Sequence, residues 1–152
     1  PLFIRLSTVD AKEGGWAIED SIALSKELKV RGVDVVDCSS GAIAEAGVNT
    51  MPTPTPGYQV EYAAAIRAGA DIPTQAVGLI LSASQAETIL RSGQADLIAL
   101  AREALHDPFW PVHAAEELGA DPGYALWPHQ YGYWLANRAR GVFAARPGEL
   151  ED

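Results

Sequence analysis

The chain has 152 residues, 48% of them hydrophobic, which is enough to bury a core and sets intrinsic disorder aside. Its 11 basic and 20 acidic residues leave a net charge of −9, a surface sign that repels nucleic acid and anionic lipid, so neither is expected as a partner. The single cysteine, Cys38, can close no internal disulfide, and no paired Cys/His spacing of a metal site is present; a reducing cytoplasm is the natural setting. No apolar run approaches the roughly 20 residues of a membrane span. The chain opens at a strand, without initiator Met or signal peptide, and reads as part of a longer protein.

In chain order, one unit recurs: a short apolar run, a small-residue loop, then an amphipathic helix. Leu2 to Ser7 forms the first strand, and Gly14-Gly15 the loop after it. A helix from about Ala17 to Arg31 carries Ile18, Ile22, Leu24 and Leu28 along its apolar stripe and stops at Gly32. Val33 to Cys38 is the second strand, ending in Ser39-Ser40-Gly41. A longer loop then runs to Pro56-Gly57, with Pro52, Pro54, Pro56 and, further on, Pro73 marking turns. A helix follows from about Tyr58 to Ala68. Thr74 to Val77 is the third strand, closed by Gly78; Ser82 or Ser84 caps the next helix, with Ala86, Ile89 and Leu90 on one face, and Gly93 ends it. Asp96 to Leu100 is the fourth strand, followed by Ala101-Arg102. Asp107-Pro108 starts a last helix that ends near Gly119, and the tail from Asp121 is rich in aromatics and arginine, with no strand.

Short buried strands alternating with helices imply parallel βα units. A doubly wound dinucleotide fold would carry G-x-G-x-x-G after a strand, and none occurs. Four units at this spacing have the density of half of an eight-unit barrel of about 250 residues. The expectation is therefore an α/β chain forming about strands five to eight of a (β/α)8 TIM barrel over residues 1–120, with a tail over 121–152. Such a half has open strand edges, so the other half of the same barrel is its expected partner.

In barrels of this kind the site lies at the C-terminal ends of the strands. Those ends here are Arg5 and Ser7, then Ser39, Ser40 and Gly41, then Val77 and Gly78, then Ala101 and Arg102. Arg5 lies inside an apolar strand, where an unpaired charge costs several kcal/mol. It is either an ion pair with a core carboxylate or a fixed cation facing a ligand that gains negative charge. Gly78 and Arg102 either make a phosphate site, from close backbone approach and a guanidinium fork, or are a tight turn and a surface cation.

At this point six segments resemble one family in order: Pro1–Ser7, Glu13-Gly-Gly-Trp16, Val33–Gly41, Pro56-Gly-Tyr-Gln-Val60, Ala76-Val-Gly-Leu-Ile80 and Ala95–Trp110. Together they are similar to the C-terminal half of the old yellow enzyme family of NAD(P)H:flavin oxidoreductases, in its bacterial xenobiotic-reductase-like branch. The resemblance spans about Pro1 to Arg138. It implies FMN bound without a covalent link, with NADPH or NADH as reductant and a small activated alkene such as an enone as substrate. Hydride passes to the flavin and then to the alkene in one site, with ping-pong kinetics. Arg5 matches the family arginine at the flavin pyrimidine edge, where a cation stabilises the charge of the reduced ring. Ser40 and Gly41 border the ribityl chain and phosphate; Val77, Gly78, Ala101 and Arg102 match the phosphate-binding ends. The family usually has Gly where this chain has Ala101, which costs about 1 kcal/mol only if the position needs a positive φ.

In the tail, Trp127-Pro-His-Gln-Tyr131 and Trp134 resemble the segment that crosses a subunit interface, with a homodimer or tetramer implied. Tyr131 and Trp134 then wall a neighbouring subunit's pocket, or are ordinary aromatic interface anchors. Tyr133 stands where one branch has an arginine. His106, His113 and His129 read as surface residues and Cys38 as packing. The family's substrate-binding His pair, its flavin glutamine and its tyrosine acid are not in this chain, so it holds no catalytic residue and is not expected to be active alone. Two other readings stay open: a demethylase or dienoyl-CoA reductase relative with the same barrel, and a half-barrel that does no catalysis.

Overall fold

The computed structural model describes residues 1–41 and 54–144. The part of the long loop expected over 42–53, with Pro52, lies outside the described residues. Strands β1 (Phe3–Ser7), β2 (Val35–Ser39), β3 (Thr74–Ala76) and β4 (Leu97–Ile98) form one parallel sheet in the order β1-β2-β3-β4. Helices α1 (Ile18–Val30), α2 (Val60–Ala70) and α3 (Ala83–Arg91) follow the first three strands. Sequential order without a reversal is what a barrel wall requires; a doubly wound sheet reverses direction at its switch point.

The register fixes two rows across the sheet. Leu6, Cys38, Ala76 and Ile98 align on one face, and Arg5, Asp37, Gln75 and Leu97 on the other. The first face is covered by α1 and α2. Val36, Cys38, Ala63, Ile66, Ile72 and Ala76 are buried there and make the core. Side chains alternate along a strand, so a charge placed one residue after a core position falls on the opposite face.

The helix ends follow local chemistry. Asp20 accepts from the backbone N–H of Ala17 at 2.9 Å and fixes the start of α1, which stops at Gly32 with φ +90°. Ser82 caps α3 by accepting from the Gln85 N–H, which settles the choice between Ser82 and Ser84. The buried side of α1 is not the expected aliphatic stripe: Ser21 and Ser25 are fully buried, while Ile18, Ile22, Leu24 and Leu28 are half-buried. The reason is hydrogen bonding. Ser21 Oγ donates to the Thr8 carbonyl at 2.8 Å and Ser25 Oγ to the Ser21 carbonyl at 2.7 Å, so both hydroxyls are satisfied inside. Ile22 packs on Gly69 of α2, where an added Cβ would come within 2.8 Å of Ile22 Cγ2. Leu90, expected to share the inner face of α3, is exposed.

Residues Pro1–Leu105 form one compact unit and those from His106 onward a second. The helix expected to start at Asp107-Pro108 is α5 (Trp110–Glu117); a short helix not expected from sequence, α4 (Arg102–His106), precedes it, and the two are separated where Asp107 Oδ1 takes the N–H of Phe109 at 2.9 Å and Pro108 breaks the run. The tail contains a helix not anticipated from sequence, α6 (His129–Ala144). Among the described residues no helix is long and apolar enough to cross a membrane, and no cluster of His, Cys, Asp and Glu could hold a metal.

Candidate functional site

The C-terminal ends of the four strands form one rim, and the sheet hydrogen bonds place its members. At β1 and β2, Thr8 donates twice to the Ser39 carbonyl, from N at 2.8 Å and from Oγ1 at 2.7 Å. This locks the two strand ends together and brings Ser7 against Gly41, where an added Cβ would lie 3.0 Å from Ser7 Oγ. Ser39 Oγ donates to the Leu6 carbonyl at 3.1 Å.

One step down the same face, Arg5 Nε lies 3.5 Å from Asp37 Oδ2. The Arg5 side chain is 59% exposed and that of Asp37 15%. Arg5 is thus both paired and open toward the uncovered face of the sheet. Burial pushes the Asp37 carboxyl above the usual aspartate range, and the Arg5 guanidinium opposes that shift. Asp37 Oδ1 is buried with no hydrogen-bond partner among the described residues. Cys38, on the opposite face, is buried and pushed up to about 12, by burial first and then by the Asp37 charge. A thiol held protonated there is a packing residue, as read from sequence.

The ends of β3 and β4 enclose a cleft of about 120 Å³, walled by Val77 and Gly78 on one side and Ala101 and Arg102 on the other. Two backbone features shape it. Gly78 has φ +116° and Leu79, a branched residue, φ +50°, so the chain reverses through two positive φ values in succession. Gly78 takes its value without strain, but a non-glycine residue such as Leu79 there costs about 1–3 kcal/mol and marks a turn fixed by its surroundings. Here the fixing groups are Gly57, whose N–H donates to the Gly78 carbonyl at 2.9 Å, and Gln85, whose Oε1 accepts from the Leu81 N–H at 3.0 Å. Ala101 has no positive φ, so a side chain at that position brings no backbone strain. Arg102 is exposed and pairs with no carboxylate among the described residues.

The structure brings together Ser40 and Gly78, and Gly78 with Ala101 and Arg102, in the first unit. Sequence reasoning missed Tyr58 and Gln59, which also line the cleft, and the strained Leu79. The signal for the first two was the Pro56–Val60 segment, noted as family-like but given no role. In the second unit Tyr131 and Trp134 lie on α6, both exposed, Trp134 by 69%. Tyr133 meets Trp134 edge-on at 5.2 Å and Phe109 meets Tyr131 at 6.3 Å. His106, His113 and His129 are exposed. His113 Nδ1 lies 2.6 Å from Asp107 Oδ2, and that hydrogen bond holds the Asp107 carboxyl below its usual range against a smaller effect of burial.

Comparison with known proteins agrees with this geometry. The profile of the NADH:flavin oxidoreductase / NADH oxidase family matches residues 2–121. The NADPH dehydrogenase of Bacillus licheniformis is 51% identical over 118 residues, that of Halalkalibacterium halodurans 52% over 119, and that of Bacillus subtilis 47% over 121. These matches cover 78%, 78% and 80% of this chain, which spans about a third of the relatives' length: 34%, 34% and 35%. A solved 2-naphthoyl-CoA reductase in complex with 2-naphthoyl-CoA superposes with a TM-score of 0.66 at 24% identity, over 77% of this chain and 18% of that one. That likeness is one of fold: the four strands are part of a (β/α)8 barrel. FMN, with NADPH or NADH as reductant, is the cofactor set of the matched family. On the sequential parallel sheet, the rim of strand ends and the match over residues 2–121, the chain belongs to the NADH:flavin oxidoreductase / NADH oxidase family.

Proposed function

We propose that this chain supplies the flavin-phosphate side of an FMN-dependent NAD(P)H oxidoreductase that reduces activated C=C bonds. The observation that carries the reading is the cleft between β3 and β4. Three of its residues suit a phosphomonoester: the Gly78 turn, a small neighbour in Ala101, and the exposed guanidinium of Arg102, which pairs with no carboxylate among the described residues, Glu103 being the acidic residue on the same lining. Bound FMN supplies two-electron chemistry, accepting hydride from NADPH or NADH and delivering it to an enone or a similar alkene.

The chain's own residues bind and orient. Val77, Gly78, Ala101 and Arg102 hold the phosphate, and Ser40 and Gly41 border the ribityl chain. Arg5, anchored by Asp37, presents its charge to the pyrimidine edge, where negative charge accumulates on reduction. The open face bearing Phe3, Arg5 and Ser7 is covered by the remaining strands of the barrel, which bring the residues that touch substrate. Tyr131 and Trp134, exposed on α6, reach a neighbouring subunit of a homo-oligomer.

The test is the visible spectrum of the purified protein with its barrel complete. A flavin band that bleaches on anaerobic addition of NADPH and returns with cyclohexenone is the expected result. A protein that stays colourless with added FMN contradicts the proposal. A band that bleaches but does not recover with the enone rejects the alkene as substrate and keeps the flavin.

A further inference from the structure

The Pro56–Val60 segment has no part in the site as drawn from strand ends, yet one of its side chains sits between two of them. Gln59 is a polar residue only 4% exposed. It stands at the start of α2 without capping it. Instead its amide points across the rim: Nε2 donates to Ser40 Oγ at 2.5 Å and lies 3.4 Å from the Ser40 carbonyl oxygen. Its other edge abuts the β3 turn, where a Cβ on Gly78 would fall 3.0 Å from Gln59 Oε1 and 3.2 Å from Gln59 Cβ. The same turn is tied to the start of α2 by the bond from Gly57 N–H to the Gly78 carbonyl. One buried amide therefore fills the gap between the turn after β2 and the turn after β3.

A glutamine is a poor choice for filling space alone. Burying it orders three torsions and takes an amide out of water, which an aliphatic side chain of similar size avoids. What the amide adds is direction, a donor aimed at one turn and a carbonyl facing the other. It also adds no charge. A glutamate there would lose the donor to Ser40 and set a negative group beside an anion site.

We propose that Gln59 is a positioning residue that sets the spacing of the Ser40–Gly41 turn against Gly78, and through it the site's preference for a flavin phosphomonoester over the unphosphorylated flavin. This rests on the reading that the cleft between β3 and β4 holds the FMN phosphate. Gln59 acts through the backbone of both turns, so its loss weakens the grip on phosphate and leaves the grip on the ring.

The experiment compares dissociation constants for FMN and riboflavin, by flavin fluorescence, in the flavin-free protein and in its Gln59→Leu, Gln59→Glu and Ser40→Ala variants, with thermal unfolding of each. In Gln59→Leu, FMN binding is expected to weaken by about tenfold, the scale of one hydrogen bond, and riboflavin binding to stay within about twofold. Gln59→Glu loses more FMN affinity than Gln59→Leu. Ser40→Ala keeps Gln59 in the core and removes only its acceptor hydroxyl; because Ser40 also borders the ribityl chain that both flavins share, its readout is the ratio of FMN to riboflavin affinity, which falls, and which decides the matter if Gln59→Leu does not fold. FMN affinity unchanged in the folded variants overturns the proposal, and so does an equal loss for both flavins, which is the mark of a packing residue. If the unaltered protein binds FMN no better than riboflavin, it is the phosphate-site reading that fails.

Discussion

Arg5 Nε lies 3.5 Å from Asp37 Oδ2 across the register pair that joins β1 to β2. The carboxylate offsets part of the guanidinium charge while holding it in place, and burial makes Asp37 reluctant to ionise. Two variants should move the midpoint potential of bound FMN in opposite directions. Arg5→Ala removes the cation that stabilises the reduced ring and lowers the potential. Asp37→Asn removes the offsetting charge and raises it. A shift of about 30 mV, the two-electron equivalent of about 1.4 kcal/mol, is the scale expected for each. Equilibration with redox dyes measures it, and two unchanged potentials would remove Arg5 from the neighbourhood of the flavin.

Gly78→Ala should damage both fold and site. Its φ of +116° is a region that side chains rarely enter, and the new Cβ would lie 3.0 Å from Gln59 Oε1 and 3.1 Å from Tyr58 Cε1. The strain costs about 1–3 kcal/mol. Denaturant unfolding should show that loss, with weaker FMN binding in whatever fraction folds. Wild-type stability and affinity together would mean the turn relaxes freely.

Ala101→Gly, a change toward the usual family residue, should bring no gain. Ala101 holds an ordinary φ, so glycine relieves nothing and loosens the unfolded chain by about 0.4–1 kcal/mol. FMN affinity is expected to stay within about twofold, because 1.4 kcal/mol would be needed for a tenfold change. A tenfold tightening would show that the methyl group obstructs the phosphate.

Much of this was legible in the residues. The alternation of apolar runs with amphipathic stretches placed all four strands, and Gly32, Gly78 and Gly93 marked the ends where the backbone turns to positive φ. Three things were not legible. The inner face of α1 is built on Ser21 and Ser25, because the Thr8 carbonyl at the end of β1 and the Ser21 carbonyl one turn back satisfy their hydroxyls; periodicity counts only apolar residues. The short helix α4 lies ahead of the start read at Asp107-Pro108, and its five residues are too few to show a helical period. Gln59 entered the site through a contact with Ser40, 19 residues away, that no local pattern encodes.

At the opposite end of the strands, Asp96 accepts from Arg67 at 3.0 and 3.1 Å and from the Thr74 N–H at 2.9 Å. Burial pushes its carboxyl up, but these bonds outweigh that and hold it below the usual aspartate value of 3.8. A carboxyl with a depressed folded value stabilises the fold above its unfolded value, and that stability is lost as pH falls through 3.8 toward the folded value. Asp96→Ala should therefore flatten the fall in stability between about pH 5 and pH 3. At neutral pH it should cost about 1–3 kcal/mol, because the Thr74 N–H loses its partner. An unaltered pH profile would mean the ion pair with Arg67 contributes nothing.

The most direct test of the phosphate cleft is the affinity of Arg102→Ala for FMN and for riboflavin, measured by fluorescence on the flavin-free protein. Arg102 is the one cation among the residues lining the cleft, where Glu103 is its charged neighbour, and hydrogen bonds to a charged partner are worth about 1.5–3 kcal/mol. FMN binding should weaken by about 10- to 100-fold, with riboflavin binding unchanged, if the cleft holds the phosphate. FMN binding as tight as in the unaltered protein would contradict it.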